Sequence, residues 1–582
     1  MFRQLFHYMG RYKKYAWFAI LCVMAEVVFE LIIPLIMADM VDVGVANGDK
    51  AYILSRGILM LICALIALFL GIGSSKFAAM AGQGLGAELR KAEYQKIQSF
   101  SFANVDKFRD SSLITRLTSD ITTIQNSIST GLRPACRSPI MMLMSLVVSC
   151  SMNATLAIVF FVAAPVLGIL LYLIISNVRP LYTRMQGAID LVNRVIQENL
   201  TAIRVVKAYV REEYECEKFD EVNNNWRTVS ERAFSIASMN MAAMQLVMYA
   251  TILCILWFGG NLVLTNQMQV GELTGFLSYV LQVLNSLMMM SNVFLMMTRS
   301  LTSGKRIMEV MEEEISLKDE AVEPLEVKRG EIVFDHVSFK YKEEAKEYVL
   351  SDISFSIKAG QTVGIIGQTG SAKSTLVQLI PRLYEASKGS IFIDGIPIQQ
   401  YPLQHLRDAI AMVLQKNTLF SGTVKDNLRW GNEYATDEEI EEACAIACVD
   451  EFIDRLKDGY DTELGQGGVN VSGGQKQRLC IARAMLKKPK VLILDDSTSA
   501  VDTATEGKIR EGLEKSLPNT TKILIAQRIT SVLHADQIIV LQDGKIDAIG
   551  THESLLASNE IYQDIYHSQQ EGVEEHGKSD RI

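Results

Sequence analysis

The chain has 582 residues, 49% of them hydrophobic and only 21% charged, and 57 Lys and Arg against 66 Asp and Glu leave a net charge of -9. That balance excludes a nucleic-acid binder driven by bulk positive charge, and the apolar content with only 11 Pro excludes disorder as the main state. A mean hydropathy of +0.17 over so long a chain points to membrane segments. Of the nine Cys, only Cys444 and Cys448 are close, and they have no second pair. A disulfide framework or zinc ribbon is therefore not indicated, and a reducing compartment fits.

Six long apolar segments occupy the first three hundred residues, at 16–40, 53–75, 134–151, 154–177, 238–263 and 272–297. Each is long enough to cross a bilayer core of roughly 30 Å as a helix. The first is too long for a signal-peptide core and lacks a small-residue cleavage site, so it is expected to stay in the mature protein. Only Ser151-Met152-Asn153 separates the third and fourth, a tight outside turn. Arg3, Arg11, Lys13 and Lys14 precede the first segment, and residues 76–133 and 178–232 are rich in Lys and Arg. The outer tips are nearly free of them. The positive-inside rule then places both termini in the cytoplasm. Two inside loops of over fifty residues suggest that the membrane helices continue into the cytoplasm and return.

Within the first span, Glu26 and Glu30 share a helical face near the membrane midplane. A carboxylate there costs roughly 2.5–3.5 kcal/mol on insertion scales, so each needs a cavity or a partner. Recognition of a cationic apolar substrate and a bond to a neighbouring helix are equally open. The fifth and sixth spans are crowded with Met, from Met239 to Met297, either adaptable ligand surface or plain filler.

The composition changes after Arg299. We read residues 1–305 as a six-helix transmembrane domain and 306–329 as a charged linker. Residues 330–567, with short β-rich runs alternating with amphipathic helices, read as an α/β domain, and 568–582 as a loose polar tail. In that domain the strand-like Thr362–Ile366 runs into Gly367-Gln368-Thr369-Gly370-Ser371-Ala372-Lys373-Ser374-Thr375, the strand, glycine-rich loop and helix order of a P-loop. Its amides and helix N-terminus suit the phosphates of ATP. Lys373 would reach the β- and γ-phosphates and Ser374 would bind Mg²⁺. Ala372 stands where a glycine is usual. Val491–Leu494 is a buried-strand pattern ending in Asp495, a Mg²⁺ ligand, and Asp496, placed for a catalytic carboxylate beside the attacking water. Between them, Ser472-Gly473-Gly474-Gln475 opens another helix and a second anion cradle. One nucleotide does not need two cradles a hundred residues apart; two chains packed head to tail would each lend one to the other.

The order of P-loop, Gln415, Val471-Ser-Gly-Gly-Gln, Asp495 and Ser499-Ala500-Val501-Asp502 resembles the ABC ATPase domain. With six membrane helices ahead of it, the chain resembles a half-transporter of the ABC exporter class. Arg116–Asp120, Glu198–Leu200 and Val206–Ala208 agree with the inside loops that carry coupling helices in that class. The resemblance implies that Tyr341 stacks on adenine and that Gln415 contacts Mg²⁺ and the water. It also implies that Thr462–Gly468 touches the opposite subunit.

Three positions depart from the family pattern. Asp496 replaces the catalytic glutamate and is one methylene shorter. Gln527 replaces the switch histidine, and Ala372 the glycine. A base must reach its water, and a shift of about an Å can cost on the order of a hundredfold. The expectation is a hydrolysis-impaired site, with the intact Ser472–Gln475 signature serving a partner's site. That pattern is similar to heterodimeric multidrug-type exporters with one degenerate site. The implied partners are a different half-transporter with intact Glu and His, membrane lipid and an amphipathic small-molecule substrate, in a bacterial cell membrane. The alternative is an ATP-gated regulatory or channel-like subunit.

Overall fold

The computed structural model describes residues 2–319 and 323–579. It divides into two compact units, one formed by Met1–Gln98 and Asp110–Glu313, the other by Ser99–Arg109 and Glu314–Ile582.

The first unit carries six helical spans long and apolar enough to cross a membrane: α1 (Gly10–Val45), α2 (Lys50–Gln98), α3 (Asp110–Met152), α4 (Ala154–Thr201), α5 (Glu212–Leu264) and α6 (Val270–Met311). Each of the six apolar segments falls within one of them. The spans are much longer than a bilayer requires, as the polar stretches between the second and third and between the fourth and fifth segments suggest. The turn between α3 and α4 shrinks to Asn153, whose side chain accepts from Leu156 N at 2.9 Å and caps α4. The last helix runs to Met311, so residues 306–311, read as linker, are helical.

Contacts among α1, α3 and α6 are made by polar groups as well as by packing. Glu26 on α1 pairs with Arg133 at 2.5 Å, and Glu30 with Arg137 at 2.6 Å, both arginines on α3. The i, i+4 spacing on each helix makes two rungs of one ladder. Gly71 on α2 leaves room for the first rung: a Cβ there would sit 3.0 Å from Arg133 Nη2 and 3.2 Å from Glu26 Oε1. Glu26 and Glu30 are therefore both engaged in interhelical ion pairs. Nearby, Tyr279 of α6 donates its hydroxyl to Leu31 O at 2.5 Å, three residues before Pro34, which has no N–H for the Glu30 carbonyl. Met244 and Met248 of α5 pack against an apolar cluster shared by α4, α5 and α6, whereas Met239, Met241 and Met297 are exposed on this unit.

The second unit is an α/β domain. Its strands are β1 (Ile332–Phe339), β2 (Leu350–Ile357), β3 (Thr362–Ile366), β4 (Lys388–Ile393), β5 (Ile396–Pro397), β6 (Ile410–Val413), β7 (Gly422–Thr423), β8 (Glu463–Leu464), β9 (Val491–Asp495), β10 (Thr521–Ile525), β11 (Gln537–Gln542) and β12 (Lys545–Gly550). A four-stranded antiparallel sheet has the order β2-β1-β4-β5, and a six-stranded sheet the order β12-β11-β3-β10-β9-β6. In the latter, β11, β3, β10, β9 and β6 are all parallel. The near-continuous apolar runs of β9 and β11 belong to strands covered on both faces. A helix spans Glu560–Ser579, and Tyr562, in the part read as the α/β domain, is fully buried.

Residues 99–109 also belong to this unit. The short helix Phe102–Lys107 is closed by a capping box of Ser101 and Asn104. Asn104 Nδ2 donates to Glu314 O at 2.8 Å, and Tyr384 donates its hydroxyl to Asp106 Oδ2 at 2.6 Å.

Breaking one partner of the Glu26–Arg133 rung should be costlier than removing both. Arg133→Leu alone should destabilise the membrane unit by about 2–3 kcal/mol. Glu26→Leu with Arg133→Leu should recover at least half of the loss. Thermal unfolding of the purified chain in detergent measures this; equal losses in the single and double variants would show that the pair does not act as one.

Candidate nucleotide site

A parallel sheet brings distant segments together at the C-terminal ends of its strands. Here β3, β10, β9 and β6 lie side by side in that order. The loop Gly367–Ala372 leaves β3, Gln527 follows β10, Asp495 and Asp496 end β9, and Gln415 follows β6. Registers Ile365 to Ile525 and Ile525 to Asp495 keep these exits level. Residues separated by more than 150 positions thus meet along one edge.

The loop ends in helix α7 (Lys373–Gln378). Lys373 Nζ lies 2.8 Å from Gly367 O and 2.9 Å from Gln368 O, so the amine is held inside the loop. Ser374 donates its hydroxyl to Asp495 Oδ1 at 2.9 Å. Asp495 is 2% exposed, and burial pushes its carboxyl above the usual range while Ser374 pulls the other way. Burial lowers the Lys373 amine, with Asp496 and Asp495 opposing. The hydroxyl and carboxylate oxygens of Ser374 and Asp495 suit a hard divalent cation. Two protein oxygens do not complete an octahedron, and among the described residues no group of three His, Cys, Asp or Glu could hold a metal. Such a set fits Mg²⁺ shared with phosphate and water.

Ala372 caps α7 with φ 68° and ψ 25°, in the left-handed region. An L-residue with a Cβ is strained there by about 1 kcal/mol relative to glycine. The departure seen in the sequence therefore falls on a backbone position that glycine occupies freely. Asp496 also has positive φ, 49°, a conformation that Asp tolerates better than most residues.

Asp496 is the convergence point of the site. Gln527 Nε2 donates to its Oδ2 at 2.8 Å, and Gln415 Nε2 approaches the same oxygen at 3.5 Å. Burial raises this carboxyl also, while the two amides favour its charged form. All three of the residues expected to carry catalysis are thus in one place.

Tyr341 stands at the loop's flank. Its hydroxyl is 2.8 Å from Thr375 Oγ1, and its ring meets Phe339 and Tyr384 edge-on, with centroids at 4.9 and 5.2 Å. It is 45% exposed and lines a cavity of about 590 Å³ with Tyr384 and Ser387. Tyr384 was not singled out in the sequence; nothing in its local pattern marks it, because its role depends on Tyr341 and Asp106, both distant in the chain.

The second cradle is built as the spacing predicts, with one refinement. Helix α8 (Gly473–Leu486) starts two residues before Gln475. Ser472 Oγ accepts from Gln475 N at 3.3 Å, and Gln475 Oε1 accepts from Ser472 N at 2.8 Å. This capping box leaves the first-turn amides of Gly473 and Gly474 without a side-chain cap. The Thr462–Gly468 segment contributes β8 and the turn at Gly467, φ 69°.

Replacing Ala372 with glycine should relieve the left-handed strain. Ala372→Gly is expected to stabilise the chain by about 0.5–1 kcal/mol, read as a higher unfolding temperature. A lower one would show that the methyl contributes packing worth more than the strain.

Comparison with known proteins agrees with this architecture. The profile of the ABC transporter transmembrane region matches residues 16–287, and that of the ABC transporter domain matches residues 350–499. The Bacillus subtilis "Uncharacterized ABC transporter ATP-binding protein YfiB" is 39% identical over 96% of this chain and 97% of its own length. The Mycobacterium tuberculosis "Uncharacterized ABC transporter ATP-binding protein Rv1273c" is 37% identical over 93% of each chain. The Bacillus subtilis "Probable multidrug resistance ABC transporter ATP-binding/permease protein YheI" is 35% identical over 81% of each.

Proposed function

The chain belongs to the ABC transporters that fuse a transmembrane region to an ATPase domain, and from this premise we propose that it is the slow-site half of a heterodimeric exporter for amphipathic small molecules. The membrane unit makes it a multi-pass membrane protein, and the ATPase domain implies ATP hydrolysis. Export of drug-like solutes is supported by the similarity to the probable multidrug resistance protein YheI. The relatives named above are bacterial, which supports a bacterial cell membrane, with the Lys- and Arg-rich loops and both termini on the cytoplasmic side.

The site residues take roles that their chemistry allows. Tyr341 offers an aromatic face to adenine. The loop amides and Lys373 hold the β- and γ-phosphates, and Ser374 and Asp495 hold Mg²⁺, which offsets charge on the phosphates. Hydrolysis then requires a water oxygen to attack the γ-phosphorus as the bond to the bridging oxygen breaks. The water's proton needs an acceptor, and Asp496 is the carboxylate nearest that task.

One observation carries the slow-site reading: the Gln527 amide donates to Asp496 Oδ2 at 2.8 Å. The amide donates to one of the two carboxylate oxygens, and a donated hydrogen bond favours the charged form and so weakens the carboxylate as a base. The amide cannot itself accept the water's proton or ionise. The carboxylate is also one methylene short of glutamate. These features impair chemistry more than binding, because Lys373, Ser374, Asp495 and Tyr341 are in place. The capped helix at Ser472–Gln475 is intact, and a head-to-tail partner would present its nucleotide there. ATP at this chain's own site would then persist through several turnovers at the other.

Three measurements test the slow-site reading. Asp496→Glu with Gln527→His should raise the share of hydrolysis at this chain's site several-fold, to an extent limited by Ala372. A nucleotide-trapping assay with labelled ATP should find mainly intact triphosphate on this chain; diphosphate cleared as fast as on its partner would overturn the reading. Gly474→Asp should lower turnover of the complex far more than Asp496→Asn, because Gly474 belongs to the faster site. Equal losses would argue against that division. Uphill movement of a substrate by reconstituted vesicles separates an exporter from an ATP-gated channel.

A further inference from the structure

Gln569 sits in helix α9 (Glu560–Ser579) and reaches the segment that follows β10. Its Oε1 accepts from Ile529 N at 2.9 Å, and its Nε2 donates to Gln527 O at 2.8 Å. The partners fix the orientation of the amide, because a main-chain N–H can only donate and a carbonyl can only accept. One side chain thus bridges two main-chain groups on either side of Arg528. Two other anchors flank this bridge. Ala526 N donates to Ile365 O at 3.3 Å, tying the end of β10 to β3, and Arg528 O accepts from Ser531 N at 3.3 Å. Between them the Gln527 carbonyl is held by Gln569, while the Gln527 side chain donates to Asp496 Oδ2 at 2.8 Å.

The helix that presents Gln569 is itself held in place. Tyr562 is fully buried, and its hydroxyl is 2.8 Å from His552 Nδ1. One turn on, Ile565 and Tyr566 pack against the apolar cluster that contains Ala526, Ile529 and Val532. Positions 562, 565, 566 and 569 share one helical face, so burial of Tyr562 aims Gln569 at the same segment. Gln569 is half-buried, which partly shields its two bonds from water.

We propose that Gln569 is a positioning residue: through the Gln527 main chain it keeps the Gln527 amide on Asp496, so that helix α9 takes part in suppressing hydrolysis at this chain's own site. This rests on the slow-site reading above, in which that amide holds hydrolysis down. Without Gln569 the Gln527 carbonyl loses its partner and the peptide between Gln527 and Arg528 is free to turn. The Gln527 side chain then has no fixed origin from which to reach Asp496.

The test uses the transporter complex isolated from membranes with its partner, turned over on MgATP that carries an α-phosphate label and a photoreactive base. Irradiation during turnover attaches nucleotide to this chain, and the share of it that is diphosphate is measured. Gln569→Met keeps the length of the side chain without the amide and should raise that share about threefold. Gln569→Glu keeps an acceptor for Ile529 N but sets a carboxylate oxygen against Gln527 O, and should raise it at least as far. In a Gln527→Ala background Gln569→Met should change the share by less than about twofold, because the amide it positions is gone. A rise below about twofold in either single variant, or a larger effect of Gln569→Met in the Gln527→Ala background, would overturn the inference. If Gln569→Met does not fold, Gln569→Glu decides by the same limits, alone and with Gln527→Ala. The parent complex separates the two levels. Mainly diphosphate on this chain, cleared as fast as on its partner, removes the slow-site reading and this inference with it; retained triphosphate with a silent Gln569→Met removes the inference alone.

Discussion

The pairing of β3, β10, β9 and β6 as neighbouring parallel strands is the constraint on which the ATPase unit depends. Parallel pairing forces every strand to exit on the same side, so loops from four separate parts of the chain share one edge. That edge is wide enough to seat a phosphate loop, a metal-binding carboxylate, a second carboxylate and two amides. Shifting β10 by one residue against its neighbours would move Gln527 away from Asp496 and turn its apolar faces over. The buried apolar runs of β9 and β11 therefore set the geometry of the site as well as stabilising the sheet.

The membrane unit solves a different problem, since burial of apolar side chains gives helices no preference for one another over lipid. Its specificity comes from groups that lipid cannot satisfy. The two Glu–Arg rungs between α1 and α3 fix both register and neighbour, and Gly71 admits α2 to the same place. Asp42 adds a further fixed point, accepting from Gly271 N at 2.5 Å and Glu272 N at 3.0 Å at the start of α6. The carboxylates Glu26, Glu30 and Asp42 are thus each bonded to a group on another helix.

Much of this was legible in the sequence because the relevant signals are local. Apolar length revealed the six spans, and the strand–glycine–helix order revealed the phosphate loop. What was not legible depends on distant contacts or on backbone angles. The identity of residue 372 could be read, but not its left-handed conformation. Asp496 and Gln527 could be named separately, but only the adjacency of β9 and β10 places one amide on the other's carboxylate. That Glu26 and Glu30 need a cavity or a partner could be read, but not that Arg133 and Arg137, four residues apart on another helix, are those partners.

The placement of residues 99–109 with the ATPase unit has a topological consequence. The chain passes between the two units three times, at 98/99, 109/110 and 313/314, where a simple tandem fusion would cross once. A single cut after residue 313 would leave the ATPase unit still tethered through both ends of the Phe102–Lys107 helix. Expressing residues 314–579 alone would also strip that unit of Asn104 and Asp106, leaving Tyr384 without its carboxylate acceptor. The stretch 1–313 contains the whole of the first unit, but no contiguous stretch contains the whole ATPase unit without residues 110–313 of the other.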